Sequence, residues 1–207
     1  MDYFWGCQHF GHHFLREACN RPFSSVNQQD KTLLRNFAET VKDSDTVFLL
    51  GDFAYRNARP VSSYLNELKK HTHAQLVYIK GNHDRWLDDM DPEEKQHYFL
   101  MVIDDSQNGR CVIERNGWRI GLSHVPTEPD LFQVPVHASI CSHIHNNRGG
   151  EDYERFMSIN AKGGNLLNCG VDINGFKPVA LRQMIANNEQ FYGFKYSVPE
   201  AMLQAFE

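Results

Sequence analysis

Short apolar runs alternate with longer amphipathic stretches along this chain, and most of the runs stop at a cluster of glycine, histidine or aspartate. Residues 3–5 read as a buried first strand, followed by the loop Gly6-Cys7-Gln8-His9-Phe10-Gly11-His12-His13. Ser24-Ser25 caps an amphipathic helix over 27–42, with Leu33, Leu34, Phe37 and Val41 on one face. The apolar, β-branched stretch 45–50 is a second strand, ending in Gly51-Asp52-Phe53. Pro60 opens a helix with Tyr64, Leu65 and Leu68 at helical spacing. A third strand lies in 71–80 and runs through Leu76-Val77-Tyr78-Ile79 into Lys80-Gly81-Asn82-His83-Asp84.

The second half keeps the habit. Pro92 starts a helical stretch to about 100. Residues 111–123 read as a hairpin turning at Asn116-Gly117, and its second arm ends in His124-Val125-Pro126. A strand over 136–141 ends in Ser142-His143-Ile144-His145. The polar, glycine-rich stretch 146–165 is expected to be a surface loop. Another strand covers 166–171, a helix follows Pro178 over 179–187, and the tail 191–207 packs on the body. Asp52 and Asn82 stand 30 residues apart, one strand-helix-strand crossover, so both fit at the same end of neighbouring parallel strands.

Composition narrows the classes. The 207 residues suit one domain with a proper core, and 41% hydrophobic residues exclude a disordered chain. A net charge of −5 argues against a generic nucleic-acid coat and against a polybasic membrane anchor. Five cysteines without a CxxC pair, and a start (Met1-Asp2-Tyr3-Phe4) unlike a secretory signal, point to a reduced cytoplasmic protein. No apolar run approaches membrane-spanning length. The 11 histidines are the informative excess.

Candidate metal ligands follow five separate strands: His9, Asp52, Asn82, His124, and His143 with His145. Binding crevices of open α/β sheets form at such strand ends. Imidazole with carboxylate or carboxamide oxygen suits zinc, manganese or iron, and a carboxylate such as Asp52 can bridge two cations. Two metals roughly 3.5–4 Å apart clamp a phosphoryl group and acidify water.

The ordered blocks Cys7-Gln8-His9, Gly51-Asp52, Gly81-Asn82-His83-Asp84, His124 and Ser142-His143-Ile144-His145 resemble those of the calcineurin-like metallophosphoesterases, in their compact bacterial and phage form. Asn168-Cys169-Gly170-Val171-Asp172 and Gly175-Phe176-Lys177-Pro178 resemble the same subgroup. The resemblance implies an α/β four-layer αββα sandwich, two mixed sheets flanked by helices. It implies two divalent ions (Mn, Zn, Fe or Ni), one held by Cys7, His9, Asp52 and His145, the other by Asp52, Asn82, His124 and His143. It further implies that Asn82 and His83 contact a small phosphomonoester or phosphodiester, nucleotides included. Metal-activated hydroxide attacks, and His83, oriented by Asp84, protonates the leaving oxygen.

Two positions depart from the pattern. Cys7 stands where the family has Asp, and Ser142 where it has Gly. A thiolate ligates zinc at about 2.3 Å but sits one atom closer to the backbone than a carboxylate oxygen. An altered first site is therefore expected, softer in metal preference, looser in occupancy or redox-sensitive. Serine fits at 142 if its φ is negative. The competing reading is a binding module of the same fold with a weakened metal site. A nuclease subunit working with a partner chain lacks a basic stripe to support it, and polymeric nucleic acid is not the expected partner. The chain is expected to be a monomer or small homo-oligomer. Among remaining residues, Arg21 and Arg148 are candidates for phosphate oxygens, and His12 and His13 for reaching the phosphate or facing solvent.

Overall fold

The computed structural model describes residues 1–55, 59–104 and 109–207. Strand β1 (Asp2–Trp5) leads through the short helix α1 (His13–Ala18) to α2 (Val26–Thr40). Ser25 caps α2 by accepting the Gln28 N–H at 3.1 Å. Then come β2 (Thr46–Leu49), α3 (Val61–His71), β3 (Gln75–Ile79), α4 (Trp86–Asp89), α5 (Pro92–Tyr98) and β4 (Met101–Ile103). The second half holds β5 (Arg110–Arg115), β6 (Trp118–Ser123), β7 (Ala138–Cys141), α6 (Glu151–Ala161), β8 (Leu166–Asn168), β9 (Val179–Ala180), α7 (Leu181–Tyr192) and α8 (Glu200–Phe206).

The strands form two mixed sheets. One has the order β4-β3-β2-β1-β9, parallel except where β9 runs antiparallel to β1. The other has the order β5-β6-β7-β8, with β5 and β6 an antiparallel hairpin and the rest parallel. Asn116 and Gly117 turn the hairpin with φ of 52° and 83°, the double left-handed pair that a tight two-residue turn needs.

Alternation along the strands sorts the core. Phe4, Phe48, Val77 and Ile79 of the first sheet join Ile120, Leu122, Ile140 and Leu167 of the second in one buried cluster. Their neighbours Trp5, Val47, Leu49, Leu76 and Tyr78 point the other way, onto Leu33 and Phe37 of α2 and Tyr64, Leu65 and Leu68 of α3. On the second sheet, Cys141 and Leu166 pack against Phe156 and Ile159 of α6. Two sheets flanked by helices is the expected architecture.

Two local expectations fail. The stretch 146–165 is not all loop: α6 occupies its middle, with Glu151, Asp152 and Glu154 in the first turn, where acidic side chains favour a helix start. The helix expected over 179–187 begins only at Leu181, because Val179 pairs with Phe4 and Ala180 with Tyr3 to close the sheet edge. Met202, Leu203 and Phe206 of α8 lie in the same buried cluster as Phe4 and Ile140. Among the described residues no helix is long and apolar enough to cross a membrane.

Candidate metal centre

Parallel pairing of β1, β2 and β3 brings their carboxyl ends to one edge, and the loops beyond them are tied together. The Cys7 N–H donates to Gly51 O and the His9 N–H to Asp52 O, both at 3.0 Å. Cys7, His9, Asp52 and His145 all hold left-handed backbone, with φ between 51° and 56°. Non-glycine residues reach that region at a cost of roughly 1–3 kcal/mol each, and the cross-loop bonds hold them there. Glycine is needed beside them: a Cβ on Gly51 would lie 2.6 Å from His124 Nδ1, and one on Gly81 would overlap Asp52 Oδ1.

Asp52 is the hub. Its Oδ1 accepts the His83 N–H at 2.9 Å. Its Oδ2 is buried without a hydrogen-bond partner, 3.5 Å from His9 Nε2 and 3.3 Å from His124 Nε2. His9 Nε2 is likewise buried and unpartnered. His124 Nε2 lies 3.0 Å from Asn82 Oδ1 and 3.1 Å from His143 Nδ1. The Cys7 Sγ and one nitrogen each of His9 and His145 fall within 4.8 Å of one another, and Cys7 forms a similar group with Asp52 and His124. All seven expected ligands are therefore gathered at one place.

A profile of the calcineurin-like phosphoesterase family matches residues 9–158. The chain belongs to this family. The chain is also 30% identical over 173 residues to an uncharacterized protein of Methanocaldococcus jannaschii, covering 84% of this chain and 82% of that one. Its structure resembles that of a protein of unknown function from Aquifex aeolicus, with a TM-score of 0.64 and 25% identity, covering 88% of this chain and 96% of that one. The family's chemistry is metal-dependent phosphoester hydrolysis, and the donor set of this chain fits a metal. Two buried polar atoms left unsatisfied and facing each other are what a cation would repair.

The outward nitrogens of the ligand histidines are held. His124 Nδ1 lies 2.8 Å from Leu50 O, His145 Nδ1 2.9 Å from Asp172 Oδ2, and His143 Nε2 3.4 Å from Asp152 Oδ2. Such partners fix the ring and leave the other nitrogen to ligate. Burial drives the His9 pKa well down, and His145 adds to that. Burial opposes charge on His124 too, yet the Asp52 carboxylate outweighs it and the pKa is raised. Burial alone would raise Asp52, but His124 and His9 hold it below the ordinary carboxylate range.

Cys7 is fully buried, and its thiol donates to Ser142 Oγ at 3.4 Å, so the two positions expected to depart from the family pattern touch. Burial, then the Asp52 charge, pushes the thiol pKa well up. Ser142 does not have positive φ, as a serine there requires.

Two expectations are corrected, those for Asp84 and Arg21. Asp84 is not turned toward His83. It is buried, its Oδ2 accepts from the Asp52 and Gly81 N–H groups at 2.7 and 2.8 Å, and its Oδ1 accepts from Phe53 N–H and Trp86 Nε1 at 3.1 and 3.0 Å. Its work is to hold the Gly51 and Gly81 turns together, while His83 stands exposed. Arg148 stacks on Phe191 and donates to Phe191 O. Arg21 is buried and spends all five guanidinium protons inside the fold, on Asp172, Cys7 O, Gln8 O and Gln29. Arg21 and Asp172 thus tie the Cys7 loop to His145. Nothing local in the sequence joins them, since they are 151 positions apart.

Proposed function

We propose that this phosphoesterase hydrolyses a small phosphomonoester or phosphodiester, nucleotides included, with two divalent ions. Cys7, His9, Asp52 and His145 would hold one, and Asp52, Asn82, His124 and His143 the other. The observation that carries the reading is the buried pair of unsatisfied atoms, His9 Nε2 and Asp52 Oδ2, 3.5 Å apart at the meeting point of the loops. When bound, divalent ions there neutralise phosphoryl charge and acidify water.

His83 lies on the open side. Its backbone is fixed by the bond to Asp52 Oδ1, and its ring centroid is 5.4 Å from that of His9. As water adds to phosphorus and the bond to the leaving group breaks, the His83 proton goes to the departing oxygen. Asn82 contributes its carboxamide oxygen toward the second ion and its amide toward the substrate. Asp84 acts as a positioning residue, fixing the two turns that carry Asp52 and His83.

One observation favours a second reading, a binding module of the same fold with a weakened first site: the Cys7 thiol is buried and turned to Ser142, and burial pushes its pKa well up. Chromogenic mono- and diester substrates assayed with Mn, Zn, Ni and Mg, beside metal analysis, separate the two. Turnover with at least one metal is expected. Asp52→Asn is expected to lower bound metal and turnover at least about a hundredfold, the upper end of what outer-sphere changes do. No turnover with any metal from a folded protein would select the binding module.

A further inference from the structure

We propose that His12 is a second substrate-contacting imidazole, donating its Nε2 proton to a non-bridging phosphoryl oxygen beside His83. The inference rests on the phosphoesterase reading of the same site and adds a specific donor to it.

His12 lies three positions beyond His9 and stands at the N-cap of α1. Its Nδ1 accepts the Leu15 N–H at 3.1 Å. A ring nitrogen that accepts a backbone N–H carries no proton, so the neutral ring has its proton on Nε2. The tautomer is set by geometry, and the free edge of the ring is a donor.

The ring is also held in place. It packs edge-on against Tyr55 with centroids 4.4 Å apart. Its centroid is 5.4 Å from that of His9 and 6.2 Å from that of His83. With the 5.4 Å between His9 and His83, the three imidazoles form a triangle. The buried corner, His9, faces Asp52; the half-buried His12 and the exposed His83 flank it. Rings 6.2 Å apart are close enough for both to reach one phosphoryl group.

Capping alone does not explain the residue. Serine, threonine, aspartate and asparagine make better N-caps, and α1 buries no side chain, so this six-residue helix has little to gain from an imidazole. What histidine adds is a second nitrogen, on a ring whose centroid lies 5.4 Å from that of His9 and 6.2 Å from that of His83. The two outer rings then divide the work. His83 gives its proton up to the leaving oxygen, whereas His12 keeps its proton and stabilises charge on an oxygen that stays with phosphorus.

The test uses His12→Asn, which keeps a good capping acceptor and removes the distal N–H. Metal-loaded wild type and variant are titrated with inorganic phosphate, and kcat/KM is measured on the best chromogenic ester. In the variant, phosphate affinity and kcat/KM are each expected to fall about tenfold, the loss of one hydrogen bond to a charged group. Metal content and thermal midpoint are expected to hold. In parallel, the His12 Nε2 resonance of the wild type should shift as phosphate is added. A variant that binds phosphate and turns over within about twofold of wild type, or a His12 resonance that ignores phosphate, overturns the inference while leaving the metal-site reading intact. A wild type that neither binds phosphate nor turns over overturns both.

Discussion

Breaking the buried pair of Arg21 and Asp172 should cost this fold more than any other single polar change near the site. The Arg21 side chain is 0% exposed and that of Asp172 1%. The guanidinium makes a two-pronged contact, Nε to Oδ1 at 2.8 Å and Nη2 to Oδ2 at 3.1 Å. Its remaining protons go to Cys7 O and Gln8 O at 2.8 Å and to Gln29 Oε1 at 3.2 Å. Arg21→Met leaves a buried carboxylate with only His145 for company and strips two backbone carbonyls of their donors. Removing one partner of a buried pair costs about 3–5 kcal/mol. With a urea dependence of about 2 kcal/mol per molar, the midpoint should fall by roughly 1.5–2.5 M. Unfolding is followed by circular dichroism in excess chelator, so that metal release does not enter.

Asp172→Leu alone should be similarly costly, and the double variant should recover about 2–3 kcal/mol of the summed loss. A pH signature accompanies it. Burial alone would raise the Asp172 carboxyl, but Arg21 and His145 outweigh burial and hold it below its ordinary value. The unfolded chain therefore takes up a proton that the folded chain refuses. The stabilisation is complete above the unfolded value of about 3.9 and is lost as pH falls through and below it. In Arg21→Met that acid slope should flatten. A single-variant loss under about 1 kcal/mol, or strict additivity in the double, would refute the reasoning.

Two further outcomes are expected. Asp84→Asn puts an amide where four donors converge, and should cost about 2–3 kcal/mol in chemical denaturation while leaving the shape of the pH–rate profile unchanged. A displaced acid limb with unaltered stability would instead mean that Asp84 acts on His83. Cys7→Asp sends a longer side chain into a place where Sγ already lies 3.4 Å from Ser142 Oγ, so it should lower the thermal midpoint. Adding Ser142→Gly should restore the midpoint and tighten manganese about tenfold by titration, and no change in either quantity for Cys7→Asp would mean that position 7 does not touch the metal.

What the sequence discloses follows from where each residue's partners lie. β1, β2, β3 and the hairpin are written in local alternation and turn residues, and the histidines and Asp52 sit where those runs stop. α6 is hidden because Phe156 and Ile159 are its only buried side chains, and glycines at 149–150 and 163–164 bracket a polar surface that looks like loop. β9 is two residues long and exists only because Tyr3 and Phe4 are there to pair with it. α1 buries nothing and so leaves no apolar rhythm. The roles of Asp84 and Arg21 were equally out of reach. A carboxylate following a histidine gives no sign of turning inward, and an arginine gives no sign that a carboxylate 151 positions away will consume it.

Cys7 and Ser142 read separately look like two losses, but the structure makes them one arrangement. Ser142 Oγ lies 2.6 Å from Leu50 O, 3.1 Å from His124 Nδ1 and 3.4 Å from Cys7 Sγ. A hydroxyl has one proton, and the shortest contact claims it, so Ser142 donates to Leu50 O and accepts from the thiol. Leu50 O has a second lone pair for the proton of His124 Nδ1 at 2.8 Å, which leaves His124 Nε2 bare on the side of Asp52 and Asn82. Were the thiol to lose its proton, the serine proton can turn from Leu50 O to the sulfur, and Leu50 O keeps the proton from His124. Within the set Cys7, Ser142, Leu50 O and His124 Nδ1, every group keeps a partner in either state. The arrangement also dictates its neighbour: a Cβ on Gly6 would overlap that of Ser142, so a serine here is possible only beside a glycine there. Position 7 thus carries a buried thiol, hydrogen-bonded to Ser142, where the resemblance leads one to expect a carboxylate.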